Sequence, residues 1–274
     1  MSIPAPKILL MGAGGTGKTY ALRTFINEGI TPFVIALDAQ GVEVLGDIPP
    51  DKIHWHAIKA PSASWKTMIA TAKNDLALNY EGLTKKQDFE KTKQNRWIEV
   101  LETLANFKCD RTGLTYGEVD SWGTDRAIVI DHNTELGHAA KEWAVGVKMV
   151  MHQGEYLVAQ NQVESLLRQI TIVCKCWVVV IAHIDRELDE VRGGTKIMVH
   201  ALGRRLAPKL PPLFSDVILA AREGKEFRWS TAEVDTDLKT RNLPIEAKLA
   251  PSFGQVVAAW KKRGGVIEPT GQKA

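Results

Sequence analysis

Short apolar runs alternate with amphipathic stretches along most of this chain, and the pattern predicts its fold. Runs that are apolar throughout are typical of strands buried on both faces of a parallel sheet, whereas strict alternation is typical of half-buried strands. The predicted strands are residues 7–11, 32–37, 53–58, 127–131, 177–182 and 217–221. Because helical stretches separate most of these strands, we expect an α/β fold in which helices cover both faces of a mostly parallel sheet.

Apolar residues at intervals of three and four predict helices that each bury one face. One helix is expected over residues 18–28 and ends at Gly29, because glycine readily adopts the conformation that stops a helix. The others are indicated by Trp65, Met68, Ile69, Ala72 and Leu76, by Trp97, Ile98, Leu101, Leu104 and Ala105, and by Val163, Leu166, Leu167 and Ile170. The sequence of residues 108–125 predicts a loop that can include a hairpin.

The strongest chemical signal directly follows the first predicted strand, where residues 12–19 read G-x-x-x-x-G-K-T. Between a strand and a helix, the backbone N–H groups of such a loop surround a phosphate chain, and the helix adds the positive end of its dipole. Lys18 is expected to reach the β- and γ-phosphates, and the Thr19 hydroxyl to bind Mg²⁺. The residues assigned to a nucleoside triphosphate are Gly12, Ala13, Gly14, Gly15, Thr16, Gly17, Lys18, Thr19 and Tyr20.

Polar residues also end two of the buried strands. Asp131 follows the run 128–130, and an acid in this position beside a phosphate loop, as in a Walker B strand, holds the Mg²⁺ shell. The alternative is a surface carboxylate that caps the next helix. His183 follows the run 177–182, where a polar residue can sense the γ-phosphate; the alternative is a hydrogen-bonded structural histidine.

A polar stretch after His183 is a candidate contact with nucleic acid. Residues 184–200 are too polar for a core and too long for a minimal turn. Their Arg186, Arg192 and Lys196 are candidates for contacts with the phosphates of single-stranded DNA. A solvated hairpin or lid is the alternative, because the acidic residues of this stretch nearly cancel its basic ones.

Lys239 and Arg241 form a basic pair separated by one residue, a spacing that places both side chains on one face of a strand. In a ring or filament, such a pair can enter the nucleotide site of the neighbouring subunit as a finger. The alternative is a surface pair in contact with solvent.

Composition and charge limit the function only broadly. The chain has 274 residues, of which 45% are hydrophobic and 24% charged, as is usual for a globular protein. No apolar run reaches the length of a membrane span, the first residues lack the apolar core of a secretory signal, and three cysteines argue against a disulfide framework. We therefore expect a cytoplasmic protein without a membrane partner. The net charge of +3 allows a polyanionic partner without demonstrating one.

The order of these features resembles the RecA-type ATPase core. The matching segments are residues 12–19, 38–40, 128–131, 177–183, 184–200, and 202–205 leading into 217–219. More narrowly, the chain is similar to phage nucleotide-binding proteins with an AAA-type label, which include the single-strand-annealing recombinases of the Sak group. The segments that carry this similarity are residues 130–136, 180–183, 202–217 and 239–241.

The resemblance covers roughly residues 5–250 and implies a RecA-like P-loop domain over residues 1–260. An insertion at about residues 80–125 precedes the Walker B strand, and residues 261–274 form a polar tail that we expect to be flexible. The implied cofactors are ATP and Mg²⁺. The implied partners are single-stranded DNA, for annealing or strand exchange, other copies in a ring or filament, and a single-strand DNA-binding protein. The implied location is the cytoplasm of a phage's host.

One departure from the RecA pattern concerns hydrolysis. RecA-type enzymes place a glutamate where this chain has Gln40, and glutamine can orient water but is a very poor base. Either turnover is slow, or Asp38 or Glu43 substitutes, or the group is not needed. The candidate catalytic residues are Lys18, Gln40, Asp131, His183, Lys239 and Arg241.

Other functions stay open at this stage. A helicase-like or packaging motor would use the same core, and a nucleotide-gated binding module would bind ATP with little hydrolysis. A small-molecule kinase is also possible, although no lid or acceptor site is recognisable. ATP is favoured over GTP because the chain lacks the N/T-K-x-D tetrapeptide that reads guanine.

Overall fold

The computed structural model describes residues 3–38, 40–60, 64–79, 81–82, 96–146, 152–188 and 193–271. Nine strands lie in these ranges: β1 (Lys7–Gly12), β2 (Thr31–Ala36), β3 (His54–Ala57), β4 (Arg126–Asp131), β5 (Trp177–Ala182), β6 (Ile184–Leu188), β7 (Thr195–Val199), β8 (Asp216–Glu223) and β9 (Glu226–Ser230). Seven of them form one sheet in the order β3-β2-β4-β5-β1-β8-β9, and β6 pairs with β7 separately. Within the large sheet, only β8 and β9 pair antiparallel.

The α-helices of the described ranges are α1 (Trp65–Asp75), α2 (Arg96–Ala105), α3 (Asn133–Val145), α4 (Gln153–Val173) and α5 (Phe253–Lys262). Segments of 3₁₀ helix are Tyr20–Glu28, Gly41–Leu45, Val119–Ser121, Ala207–Lys209 and Pro211–Leu213. The Tyr20–Glu28 segment ends at Gly29 as its sequence predicted, with 3₁₀ rather than α-helical geometry. In the part of the chain that the structure describes, no helix is long and apolar enough to span a bilayer.

The core consists of two apolar clusters, one on each face of the large sheet. On one face, Trp97 of α2, Leu136 of α3 and Val163 of α4 pack against the strands. On the other face, Phe25 of the Tyr20–Glu28 segment stacks on Phe253 of α5, with ring centroids 4.2 Å apart. Helices therefore cover both faces of a mostly parallel sheet, which confirms the predicted α/β class.

Two predicted loops contain hairpins. In the stretch 108–125, Cys109 N–H donates to the Leu114 carbonyl at 2.9 Å, and Tyr116 N–H donates to the Phe107 carbonyl at 2.8 Å. The stretch 184–200 contains the antiparallel pair β6–β7. The insertion predicted at about residues 80–125 includes the first of these hairpins and α2, while residues 80 and 83–95 lie outside the described residues.

The apolar faces of α1 and α2 differ from their predicted burial. No side chain of α1 is buried, and Trp65 is 80% exposed. In α2, Trp97 and Val100 are buried, whereas Ile98 and Leu101 are exposed. For α2 the spacing therefore missed Val100 and selected Ile98 and Leu101, which face solvent. For α1 it did not reveal that none of the described elements buries the predicted face.

The C-terminal segment, residues 266–270, forms hydrogen bonds with the loop that precedes β4. Thr124 Oγ1 donates to the Val266 carbonyl at 2.8 Å and accepts from the Glu268 N–H at 2.7 Å. Thr270 Oγ1 donates to Asp125 Oδ1 at 2.7 Å. The tail that was expected to be loose therefore lies against the core at least as far as Thr270.

Strand β1 has buried contacts at both ends. At its start, the Lys7 ammonium donates to the carbonyls of Cys174 and Cys176, and burial lowers the pKa of this lysine. At its end, Gly12 lies so close to β8 that an added Cβ would collide with the Ala220 carbonyl oxygen. Only glycine fits this approach of two backbones.

The carboxyl ends of β1, β2, β4 and β5 meet at one edge of the sheet. In the strand register, Met11 lies opposite Ala182, while Ala36 and Ile181 both lie opposite Asp131. The segments that follow these strands are therefore neighbours, and ligands of open α/β sheets bind at this edge.

Candidate nucleotide-binding site

The phosphate loop leaves β1 and leads into the Tyr20–Glu28 segment. Gly17 has a φ of 75°, a conformation that favours glycine. Thr16 Oγ1 donates to the Ala13 carbonyl at 2.8 Å, which closes the turn of the loop. The loop lines a cavity of about 740 Å³, large enough for a nucleotide.

Lys18 is buried at the centre of the loop. Its Nζ donates to the Gly12 carbonyl at 2.8 Å and to the Ala13 carbonyl at 2.7 Å. Burial lowers the pKa of Lys18 to about 8, and the nearby Asp131 opposes that shift. A phosphate chain would give this ammonium charged oxygen acceptors in place of neutral carbonyls, and charge-assisted hydrogen bonds are the stronger kind.

Thr19 and Asp131 meet across the cavity although 112 residues separate them in the chain. Thr19 Oγ1 donates to Asp131 Oδ2 at 2.6 Å. Burial raises the pKa of Asp131 to about 6, while the bond from Thr19 and the charge of Lys18 act in the opposite direction. The predicted placement of Asp131 beside the loop therefore holds in the structure, and the alternative of a surface carboxylate does not.

The oxygen donors at this point suit magnesium. Mg²⁺ prefers hard oxygen ligands and is usually bound through one or two carboxylates, substrate phosphates and water. The Thr19 hydroxyl, the buried Asp131 carboxylate and Asp38, which lines the same cavity, supply such oxygens. These residues fit the ion that the phosphate loop implies.

Two histidines border the cavity beside Asp131. The rings of His132 and His183 contact each other edge to face, with centroids 4.4 Å apart. Burial lowers the pKa of His132 to about 4 and also lowers the pKa of His183, so both rings are neutral at pH 7. Sequence reasoning identified His183 and missed His132, whose only signal was its position directly after Asp131.

The pair β6–β7 connects to this cavity through the backbone of His183. The His200 N–H donates to the His183 carbonyl at 2.8 Å, and Asn133 Nδ2 donates to the His200 carbonyl at 3.0 Å. His183 lines the cavity, and Asn133 directly follows His132, which also lines it. A movement of these residues can therefore reach the hairpin through the two hydrogen bonds to His200.

Part of the cavity lining is mainly apolar. It consists of Tyr20, Val44, Phe227 and Pro251, which we call the apolar end. Only Tyr20 was anticipated, since it adjoins the loop. The other three come from distant parts of the chain, and no local pattern marks them.

A family model described as "AAA domain" matches residues 5–243. The chain belongs to this AAA domain family. No curated protein matches it. Similar solved structures include the RadB recombinase, at 12% identity and a TM-score of 0.38 over 89% of this chain and 86% of that one. Another is the flagellar accessory protein FlaH from Methanocaldococcus jannaschii, at 11% identity and a TM-score of 0.36 over 90% and 84%.

Membership of this family confirms the prediction that the chain is a P-loop nucleotide-binding protein. A phage origin and a relation to the Sak-group recombinases remain predictions for this AAA domain.

Gln40 is exposed, and its N–H donates to Asp38 Oδ1 at 3.1 Å. Among the described residues, the cavity lining includes Asp38 and Gly41 but not Gln40 itself. The structure thus places Gln40 at the rim of the site.

Two of the three candidate DNA contacts lie on the β6–β7 hairpin. Arg186 on β6 is exposed, and Lys196 on β7 forms an ion pair with Asp237 at 3.1 Å. Arg192 lies outside the described residues. The role of these residues in DNA binding stays a prediction.

Lys239 and Arg241 lie at the opposite edge of the sheet from the phosphate loop. Lys239 pairs with Val217 at the start of β8, and its Nζ donates to the Phe214 carbonyl at 2.7 Å. Gly12 pairs with Ala220, three residues further along β8, which corresponds to about 10 Å. Both basic residues line a second cavity of about 500 Å³ and are not part of the cavity around Lys18.

Proposed function

We propose that this AAA domain binds and hydrolyses ATP with Mg²⁺ and uses it in recombination on single-stranded DNA, in annealing or strand exchange. The observation that carries the proposal is the 2.6 Å bond between Thr19 and Asp131 beside the buried Lys18. It joins a phosphate-binding group and two metal ligands in one cavity, which is the arrangement that phosphoryl transfer needs.

Each residue of the site has a distinct part in this proposal. The loop amides and Lys18 hold the triphosphate, and Thr19 and Asp131 hold the metal shell. Bound Mg²⁺ would neutralise charge on the β- and γ-phosphate oxygens. Gln40 can orient water from the rim but cannot deprotonate it, so the proposed turnover is slow.

The proposed link to DNA runs from His183 to the β6–β7 hairpin. His183 borders the cavity, and its carbonyl accepts the His200 N–H at the base of the hairpin. A triphosphate that displaces His183 would therefore move the hairpin that carries Arg186 and Lys196. Positive side chains on such a hairpin suit the phosphates of a single strand.

Single-stranded DNA is expected to raise the rate of ATP hydrolysis, because strand binding and nucleotide state share this connection. The DNA affinity is expected to fall steeply between about 50 and 200 mM salt, since phosphate contacts release counterions. Replacing Arg186 and Lys196 by alanine should lower the stimulation. Hydrolysis assays with and without DNA, over a range of salt concentrations, measure both effects.

The matched control replaces Lys66 and Lys73, which are exposed on α1, by alanine and so removes the same charge. This variant should respond to DNA like the unaltered protein. If single-stranded DNA changes neither turnover nor assembly, the recombination proposal is wrong. Strand unwinding with a defined polarity would instead favour a DNA motor.

The position of the basic pair supports head-to-tail assembly. Lys239 and Arg241 lie at the amino edge of the sheet and the phosphate loop lies at the carboxyl edge, so the pair faces away from its own nucleotide site. Two different surfaces that meet form a heterologous interface, which closes into a ring or continues as a filament. We propose that the pair contacts the neighbour's triphosphate.

Mixing two inactive variants tests this contact. The Lys18→Ala variant keeps the basic pair, and the Lys239→Ala/Arg241→Ala variant keeps the phosphate loop. An equal mixture should recover about a quarter of the wild-type turnover, because one interface in four combines both intact halves. ATP hydrolysis by the mixture is compared with the sum of the separate variants; equality of the two would contradict a shared site.

A further inference from the structure

The apolar end of the nucleotide cavity has a shape and chemistry that phosphate binding does not use. Phe227, on β9, is 43% exposed and stands against the phosphate loop, since a Cβ added to Gly17 would lie 3.1 Å from Phe227 Cδ1. Val44 and Pro251 line the same end. Because Phe227 adjoins the phosphate loop, these side chains are within reach of the base of a nucleotide whose phosphates are held at Lys18.

Phe227 is better placed to receive a base than the other aromatic residue of the cavity. The Arg23 guanidinium lies 3.7 Å from the centre of the Tyr20 ring and covers it closely. The Arg222 guanidinium lies 5.4 Å from the centre of the Phe227 ring. Arg23 thus occupies one face of the Tyr20 ring, whereas the Phe227 ring stands against the phosphate loop and is 43% exposed. Aromatic rings stack on every base because each base has a π-face.

Side chains that could distinguish one base from another are scarce at this end. Among the described residues, the polar side-chain groups there are the hydroxyls of Tyr20 and Thr24 in the lining and the guanidinium groups of Arg23 and Arg222 beside the two rings. Arg23 already donates to Asp47 and to the Val44 carbonyl, and Arg222 Nε donates to the Gly224 carbonyl at 2.9 Å. Thr24 Oγ1 already donates to the Ala21 carbonyl at 2.7 Å and accepts the Phe253 N–H at 2.9 Å. Pro251 has no N–H to offer. The cavity's carboxylates, Asp38 and Asp131, are at the metal end.

We propose that this site holds the nucleobase by stacking on Phe227 and accepts ATP and GTP with similar affinity. Adenine and guanine differ in the donors and acceptors on their edges, and strong discrimination requires protein groups that are left unpaired by the wrong base. A stacking platform whose neighbouring polar groups are already bonded within the protein binds both purines. This inference rests on the proposed nucleotide-binding function and adds the substrate class.

The test measures binding of ATP, GTP and inorganic tripolyphosphate by calorimetry in the presence of Mg²⁺. The full chain is expected to bind ATP and GTP with dissociation constants within about 3-fold of each other, since stacking tolerates any base. Phe227→Ala should weaken both nucleotides by about 5- to 100-fold and leave tripolyphosphate unchanged.

Two further variants separate stacking from packing. Phe227→Leu keeps an apolar side chain against Gly17 but removes the ring, so it should lose nucleotide affinity and keep tripolyphosphate affinity. Phe227→Tyr keeps the ring and should retain both. The matched control is Trp65→Ala, which removes an aromatic side chain that is 80% exposed on α1 and should bind as the unaltered protein does.

Each outcome has a distinct meaning. Binding of ATP more than about 30-fold tighter than GTP overturns the inference and leaves the proposed function intact, because it requires a base-reading group. Equal loss of nucleotide and tripolyphosphate affinity in Phe227→Leu also overturns it, since Phe227 would then support only the loop. Failure of all three ligands to bind the full chain overturns the proposed function together with the inference.

Discussion

Replacing Lys18 with alanine is expected to abolish nucleotide binding. The ammonium lies at the centre of the phosphate loop, 2.8 Å from the Gly12 carbonyl and 2.7 Å from that of Ala13. Each hydrogen bond from a charged group to phosphate contributes about 1.5–3 kcal/mol, so the loss of two weakens binding by about 100-fold or more. Calorimetric titration with ATP and Mg²⁺ measures the change.

The variant is expected to stay folded. Burial lowers the pKa of Lys18 to about 8, so the group is still mainly charged at pH 7, but its charge is less favourable in the folded state than in the unfolded state. Removing the ammonium therefore does not remove a net stabilising charge, and thermal unfolding without ligand provides the check. Lys66→Ala, on exposed α1, is the control for loss of a lysine. Undiminished ATP binding by Lys18→Ala would show that the loop does not hold the triphosphate.

Replacing Asp131 with asparagine is expected to abolish turnover and yet stabilise the ligand-free protein. Asparagine accepts the Thr19 hydrogen bond but carries no charge for the metal, so hydrolysis should fall by about 100-fold or more. Burial raises the pKa of Asp131 to about 6 from its ordinary value of 3.8. The ionised carboxylate therefore destabilises the folded state at pH 7 by at most about 3 kcal/mol.

The sign of this effect fixes a pH window. A carboxyl group whose pKa is higher when folded binds more protons in the folded state, so its contribution to stability falls as the pH rises from about 4 to about 6. The amide side chain introduced by Asp131→Asn does not titrate, so the stability difference between variant and wild type should grow across that window and stay constant above it. Urea unfolding without Mg²⁺ over a pH range of about 4 to 7.5 measures it.

Asp38→Asn is the matched control, because Asp38 lines the same cavity but is exposed. Its effect on stability should be small, since water already screens an exposed carboxylate. If Asp131→Asn is less stable than the wild type at pH 7, or if the difference does not vary with pH, the buried charge is not the cause.

The phosphate end of the site was predictable from sequence because its geometry is local. One short motif supplies Gly12, Lys18 and Thr19, and its glycines can be read as backbone requirements. Asp131 was predictable for a topological reason, since parallel strands bring their carboxyl ends to one edge. The register that places Ala36 and Ile181 opposite Asp131 follows from that rule.

The base end was not predictable because its residues share no pattern. Val44, Phe227 and Pro251 come from separate parts of the chain and meet only after the sheet has formed. His132 was overlooked because Asp131 had already been taken as the functional residue at the end of that strand. The exposed apolar face of α1 shows a different limit, because periodicity orients a helix but does not identify its neighbours.

The anchoring of β1 has a consequence for how this domain can work as a machine. At the start of the strand, Lys7 donates hydrogen bonds to the carbonyls of Cys174 and Cys176. At its other end, the backbone of Gly12 packs closely against that of Ala220. The strand that leads into the phosphate loop is thus held at both of its ends. In the proposed function, any movement that ATP drives would therefore have to occur in segments other than β1, and the β6–β7 hairpin, bonded to the cavity through His183 and His200, is the candidate.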